Sequence, residues 1–208
     1  MTPTPQPAIE AVIFDLGNVL IAVDETRALD RMAARTGKTR RELEGYVMLT
    51  PFVNQLARGE LSSQQFFEIV RRDTGFDSDF AGFARIWSDI FTPIEPMIAL
   101  ARRLKGRVKR LILSNTNAIH MDYVLGKFPI VREVEGLVLS YEVGLLKPDP
   151  RIYELTLRRF ALRAEQTVFI DDIPANVDGA RAAGLHGIHC QNPDQVRLEL
   201  TKLGVPDI

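Results

Sequence analysis

The chain is nearly without cysteine, without net charge and without long apolar runs, and each shortage removes a class of protein. Cys190 is the single cysteine among 208 residues, and a lone thiol cannot form an internal disulfide. It closes the apolar stretch Gly187-Ile188-His189-Cys190, so a buried strand residue is the expectation. Lys and Arg total 26 against 27 for Asp and Glu, a formal net charge of -1. No bulk field therefore favours nucleic acid or an anionic membrane, and a small-molecule partner is expected. Nothing approaches the ~20 apolar residues of a membrane span. Met1 to Pro7 has neither the cationic start nor the apolar stretch of a signal peptide, and the expected location is cytoplasmic. There is no internal repeat and no low-complexity tract.

What the chain does contain is organised around Phe14-Asp15-Leu16-Gly17-Asn18. The preceding run Ala11-Val12-Ile13-Phe14 reads as a buried strand, and a carboxylate at its C-terminal end sits where open α/β sheets place ligands. Gly17 allows a sharp turn and leaves peptide groups accessible to an ion. Three further segments could converge on Asp15: Leu111 to Asn115, Gly144 to Pro148, and Val168 to Asp172. Two are apolar strands followed by polar residues, and the third presents Lys147 on a loop stiffened by Pro148 and Pro150. Taken singly, each has a bland reading. Asp15 could be a turn or cap residue, Ser114 and Asn115 a helix cap, Asp171 and Asp172 a solvated turn, and Lys147 a solvated side chain.

From Asp24 to about Phe91 the pattern is helical. Leu29, Met32 and Ala33 share a face that stops near Gly37, and Thr39 with Glu42 and Ser62 with Gln65 have the form of capping boxes. Phe80, Phe83, Ala84 and Trp87 follow at helical spacing, which predicts core packing. Beyond this insert, strands and helices alternate, with strands at 111–113, 136–140, 168–170 and 187–190. The expected fold is α/β, a Rossmann-like, doubly wound, mostly parallel sheet. Residues 1–23 and 92–208 would form the core and 24–91 a helical cap; 208 residues suit a domain carrying such an insertion.

In order, the segments FDLGNVL, LSNTNAIH, KPDPRIY and FIDDIPANVDGA resemble the signature of the haloacid dehalogenase superfamily, subfamily IA. They look most like the group holding sugar-1-phosphate phosphatases and the N-terminal phosphatase domain of soluble epoxide hydrolase. The match runs from Ala11 to about Cys190. It implies Mg²⁺-dependent hydrolysis of a small phosphorylated metabolite, a sugar phosphate first, through an aspartyl phosphate on Asp15. By the same resemblance Asp15, Asp172 and the Gly17 carbonyl would hold Mg²⁺, with Asp171 a direct or water-mediated ligand. Lys147 would neutralise the transferring phosphoryl group, and Ser114 and Asn115 would donate hydrogen bonds to it.

Gly17 departs from the usual pattern, which has a second aspartate there as general acid and base. Glycine cannot transfer a proton, and His120 is the replacement this reading offers; Asp24 also lies near the start of the cap. Two alternatives stay open: a metal-free 2-haloacid dehalogenase, and a phospho-ligand sensor that binds without turnover. A monomer and a homodimer both fit.

Overall fold

Ala11–Phe14 forms β1, with all four side chains buried, and it occupies the middle of a five-stranded sheet. The protein is described by a computed structural model over residues 8–205. After β1 come β2 (Ile21–Val23), the helices α1 (Glu25–Thr36), α2 (Arg40–Leu49), α3 (Phe52–Ala57), α4 (Ser63–Thr74) and α5 (Phe80–Ser88), and β3 (Phe91–Pro93). The chain continues through α6 (Glu95–Arg103), β4 (Lys109–Ser114), α7 (Ala118–Lys127), α8 (Ile130–Glu133), β5 (Gly136–Leu139) and α9 (Ser140–Val143). It ends with α10 (Pro150–Arg159), β6 (Thr167–Asp171), α11 (Pro174–Ala182), β7 (His186–His189) and α12 (Pro193–Lys202). No helix among the described residues is long and apolar enough to cross a membrane.

The sheet order is β5-β4-β1-β6-β7, and every pairing in it is parallel. Side chains alternate faces along a strand, and both faces here are apolar. Val12, Phe14, Ile112, Val168 and Ile170 pack on one side against α6, α7 and α12. Ile13, Leu111, Leu113 and Phe169 pack on the other against α10 and α11. A parallel sheet buried on both faces explains why its strands read as unbroken apolar runs rather than as alternation.

Register does the work of positioning. Phe14 lies opposite Ile170 on β6 and Ile112 on β4, so Asp15 and Asp171 are at the same level of neighbouring strands, which lie ~4.8 Å apart. Because all strands run the same way, these ends share one edge of the sheet. The chain after β1 goes to β4 on one side and later to β6 on the other, so that edge is also the switch point at which open α/β sheets bind ligands.

The insert has its own apolar core of Leu29, Met32, Leu43, Phe66, Phe83 and Trp87, among others. Phe66 and Trp87 meet edge to face at 5.1 Å, and Phe83 stacks on Trp87 at 5.5 Å. Both capping boxes form, at Thr39 with Glu42 and at Ser62 with Gln65, and Gly37 ends α1 in the left-handed region at φ 65°. The insert leaves and rejoins the core through an antiparallel ribbon in which Ile21 faces Pro93 and Val23 faces Phe91. Three residues per strand are too few for a periodic signal, and the sequence reading did not contain this ribbon. Two smaller expectations are corrected. The helix after β4 starts at Ala118 and is capped by Asn117, whose side chain accepts from the His120 N–H, not by Ser114 or Asn115. Cys190 lies just past β7 and is only half-buried.

β4 also begins two residues earlier than its apolar run, at Lys109, and places Arg110 fully inside. Its guanidinium donates to Glu135 Oε1 at 2.8 Å and to the Ala101 carbonyl at 3.2 Å. Glu135 is itself exposed, so truncating Arg110 costs through the cavity it leaves and the Ala101 and Glu133 carbonyls it no longer satisfies, whereas an apolar side chain of similar length refills the space. Arg110→Ala should therefore cost ~3 kcal/mol or more and lower the melting temperature by on the order of 10 °C. Arg110→Met should cost much less, and thermal unfolding followed by circular dichroism reads both.

Candidate active site

Asp15 sits one residue past β1, with its backbone N–H bonded to the Ile170 carbonyl at 2.8 Å. Its carboxylate is 7 % exposed, and Oδ1 accepts from its neighbour Leu16 N–H at 2.6 Å and from Lys147 Nζ at 2.9 Å. Oδ2 has no hydrogen-bond partner among the described residues. Burial pushes the Asp15 carboxyl up to about 6, with the Asp171 charge adding to the rise and Lys147 opposing it.

Lys147 is held as tightly as its two partners require. Its side chain is fully buried, and Nζ reaches Asp171 Oδ2 at 2.6 Å and lies 5.4 Å above the Phe169 ring. The loop that carries it is clasped by Asn115: Oδ1 accepts from the Lys147 N–H at 2.8 Å, and Nδ2 donates to the Lys147 carbonyl at 3.0 Å. Asn115 thus clasps the lysine loop with its oxygen and one amide N–H, which leaves its second amide N–H free at the pocket. Ser140 makes a similar clasp on Thr116, accepting its N–H and donating to its carbonyl, both at 2.9 Å. Ser114 ends β4 beside these residues, buried, and lines the pocket.

The two adjacent aspartates differ in environment. Asp171 is wholly buried and its oxygens are occupied: Oδ1 accepts from the Ile173 N–H at 2.8 Å and from Asn176 Nδ2 at 3.0 Å, and Oδ2 takes Lys147. Asn176 is fixed in turn, because its carbonyl accepts from the Tyr153 hydroxyl at 2.7 Å. Asp172 is half-buried, and among the described residues its carboxylate accepts from Asn18 Nδ2 alone, at 3.2 Å. Asn18 adopts a positive φ of 52°, a region asparagine tolerates better than most residues, and its Oδ1 also takes the Val23 N–H. The Gly17 carbonyl accepts no hydrogen bond among the described residues.

Asp15, Asp171 and Asp172 offer oxygens that all lie within 4.8 Å of one another. Three carboxylates against one ammonium leave two formal negative charges. A hard divalent cation fits this donor set of carboxylate and carbonyl oxygens. It would also hold Asp15 ionised, against the burial that raises its pKa. With the hydrogen bonds as they stand, Asp15, Asp172 and the Gly17 carbonyl are the groups with oxygens to spare.

The pocket over this cluster has a volume of about 310 Å³. The sheet edge contributes Asp15, Ser114, Asn115, Lys147, Asp172 and Asn176; the insert and its ribbon contribute Val23, Glu25, Val53, Ala57, Ile90 and Phe91. His120 reaches the wall but has no free nitrogen. Nδ1 accepts from Asn117 Nδ2 at 3.1 Å, and Nε2–H donates to the Trp87 carbonyl at 3.2 Å. The ring stacks on Trp87 and meets Phe91 edge-on, and burial lowers its pKa to about 4. The geometry thus gives no support to His120 as the proton donor expected from sequence; it joins the insert to α7 as a neutral ring. Glu25, in the first turn of α1, was missed by the sequence reading. The visible signal was its place directly after the cap residue Asp24, whose own Oδ1 is taken by Thr26.

Removing the ammonium would leave Asp15 and Asp171 buried at neighbouring strand ends with nothing between them, so Lys147→Ala should cost ~3–5 kcal/mol. Adding Asp171→Asn to Lys147→Ala should recover part of that loss, because it deletes one of the two facing charges. Urea unfolding in chelator, with the double-mutant cycle, measures the coupling.

Residues 9–184 match the family model of the haloacid dehalogenase-like hydrolases. A phosphatase of Mycobacterium tuberculosis is 29 % identical over 209 residues, covering 91 % of each chain. A D-ribitol-5-phosphate phosphatase of Bacteroides thetaiotaomicron is 24 % identical over 204 residues, covering 93 % of this chain and 97 % of its own. Among solved structures, an enzyme of the same family from Bacteroides thetaiotaomicron, in complex with magnesium and inorganic phosphate, superposes with a TM-score of 0.79 at 25 % identity. That match covers 86 % of this chain and 92 % of the other. With its four segments gathered on one edge of a parallel sheet, and a family match across most of its length, the chain belongs to the haloacid dehalogenase-like hydrolases.

Proposed function

We propose that the protein is a Mg²⁺-dependent phosphatase that hydrolyses small phosphomonoesters through an aspartyl phosphate on Asp15. The observation that carries this is the charge pattern at the sheet edge: three clustered carboxylates, one buried lysine bridging two of them, and a backbone carbonyl without a donor. The haloacid dehalogenase alternative would set an anionic substrate against two unbalanced negative charges, which the phosphatase reading offsets with a cation.

Asp15 attacks phosphorus through one oxygen of its carboxylate, the other being left to the metal site. The ester P–O bond breaks, an acyl phosphate forms, and the alcohol oxygen takes a proton as it leaves. Water then attacks the acyl phosphate, releasing inorganic phosphate and restoring the carboxylate. Splitting the displacement into two steps is the advantage of a covalent nucleophile. Lys147 keeps Asp15 anionic and offers positive charge to the phosphoryl oxygens. Asp172 and the Gly17 carbonyl, with Asp15, would hold Mg²⁺, which when bound screens the phosphoryl charge and fixes the phosphate in line. Asp171 acts through others, orienting Lys147 and Asn176 rather than ligating. The Ser114 hydroxyl remains available to a phosphate oxygen, and Asn115 contributes by clasping the lysine loop.

Proton transfer falls to Glu25. It is the carboxyl group on the pocket wall that stands outside the metal cluster among the described residues, and it comes from the insert. A group there can protonate the departing alcohol and later accept a proton from water.

Phosphate release from a substrate panel tests these roles. Asp15→Asn should lower kcat by at least about 10³-fold, and chelation should abolish release until Mg²⁺ is restored. Glu25→Gln should slow alkyl phosphates by about 10²-fold while sparing p-nitrophenyl phosphate, whose leaving group needs no proton; equal slowing of both would remove Glu25 from proton transfer. Gly17→Asp should fold, since a Cβ there meets only Val23 Cγ2, at 3.4 Å, and should recover part of the Glu25→Gln loss. Absence of release from every substrate, with phosphate binding intact, would favour the sensor reading.

A further inference from the structure

Beside Glu25 a second cavity of about 80 Å³ lies between insert and core. The two share Glu25, Val53, Ile90, Asn117 and His120, so they adjoin across a common wall. Its remaining wall is Ala28, Leu29, Val47 and Trp87.

The polar groups of the cavity are nearly all committed. Asn117 gives its oxygen to the His120 N–H and its amide to His120 Nδ1, and the other ring nitrogen is bonded to the Trp87 carbonyl. Glu25, the second N–H of the Asn117 amide and the Trp87 indole N–H are left; the indole is buried and has no acceptor among the described residues. A sugar brings several hydroxyl groups, each of which exchanges water for a partner or loses free energy on burial. Apart from Glu25 and the indole N–H this wall offers few such partners, fewer than a polyol's hydroxyl groups require. A hydrocarbon group needs none, and gains from every methylene removed from water.

We propose that this cavity is the leaving-group subsite and that the preferred substrates are phosphomonoesters of apolar alcohols, of the size of a short branched alkyl or single-ring aryl group. The proposal rests on the phosphatase reading above and replaces the sugar phosphate that the sequence resemblance implied. Phosphate chemistry stays with the sheet edge, and choice of alcohol passes to Ala28, Leu29, Val47, Val53, Trp87 and Ile90.

The test compares kcat/KM with Mg²⁺ for isopentyl phosphate and benzyl phosphate against glycerol 1-phosphate and ribitol 5-phosphate. Acetyl phosphate serves as a minimal substrate that does not reach the cavity. Each buried methylene should add about fourfold, so isopentyl phosphate should exceed both polyol phosphates at least about tenfold. Val53→Thr, which keeps the volume and adds a hydroxyl, should narrow that ratio. If acetyl phosphate is hydrolysed but the polyol phosphates match or exceed the apolar ones, the subsite is wrong and the phosphatase reading survives. If no substrate at all is hydrolysed, the phosphatase reading fails and the subsite is judged by binding. Trp87 is the single tryptophan, so isopentylphosphonate with Mg²⁺ should change the protein's indole emission where methylphosphonate does not. Equal responses to the two would overturn the proposal.

Discussion

Lys147, 2.9 Å from Asp15 and 2.6 Å from Asp171, is what allows two buried carboxylates to end neighbouring strands at the same level. At an effective dielectric of about 20, like charges 4 Å apart repel by ~4 kcal/mol, and register alone brings these two close to that separation. The lysine turns that repulsion into two attractions, but only if it cannot swing away. Asn115 fixes its backbone on both sides, Asn176 and the Ile173 N–H fix Asp171, and Tyr153 fixes Asn176. The reactive end of the sheet is thus a chain of restraints that runs outward from one ammonium.

The site is divided by origin. The core supplies charge: Asp15, Asp171, Asp172 and Lys147 all come from strand ends or from a loop clamped to one. The insert supplies shape and apolar surface, with Glu25 as its one charged contribution to the pocket wall among the described residues. The ribbon of β2 and β3 and the neutral His120, wedged between Trp87 and Phe91, tie the two together.

Much of this was legible before any coordinates. Apolar runs ending in Asp15, Ser114 and Asp171 announced the strands, because a parallel sheet covered on both faces has no polar face to interrupt its pattern. Thr39 with Glu42 and Ser62 with Gln65 announced helix starts, because a capping box is made within four residues. The β2–β3 ribbon was not legible: each half is three residues long, and they pair across some seventy positions. Arg110 was not legible either, because its burial depends on Glu135 and the Ala101 carbonyl arriving from elsewhere in the chain.

His120 and Glu25 show where sequence reasoning stops. A histidine five residues past a phosphate-contact motif looks suited to proton transfer, yet its protonation is decided by Trp87 and Asn117, which bury it and bind both nitrogens. A glutamate in a first helical turn looks like an ordinary favourable charge, yet the fold sets it in the wall of the pocket that also holds Asp15. The sequence by itself determined the strands, the caps and which acidic and basic residues stand at strand ends, since these follow from local pattern and spacing. The tertiary structure alone decided which oxygens are spent and which are spare, because Asn115 meets Lys147 across 32 positions and Asn18 meets Asp172 across 154, and no local rule specifies contacts at that range.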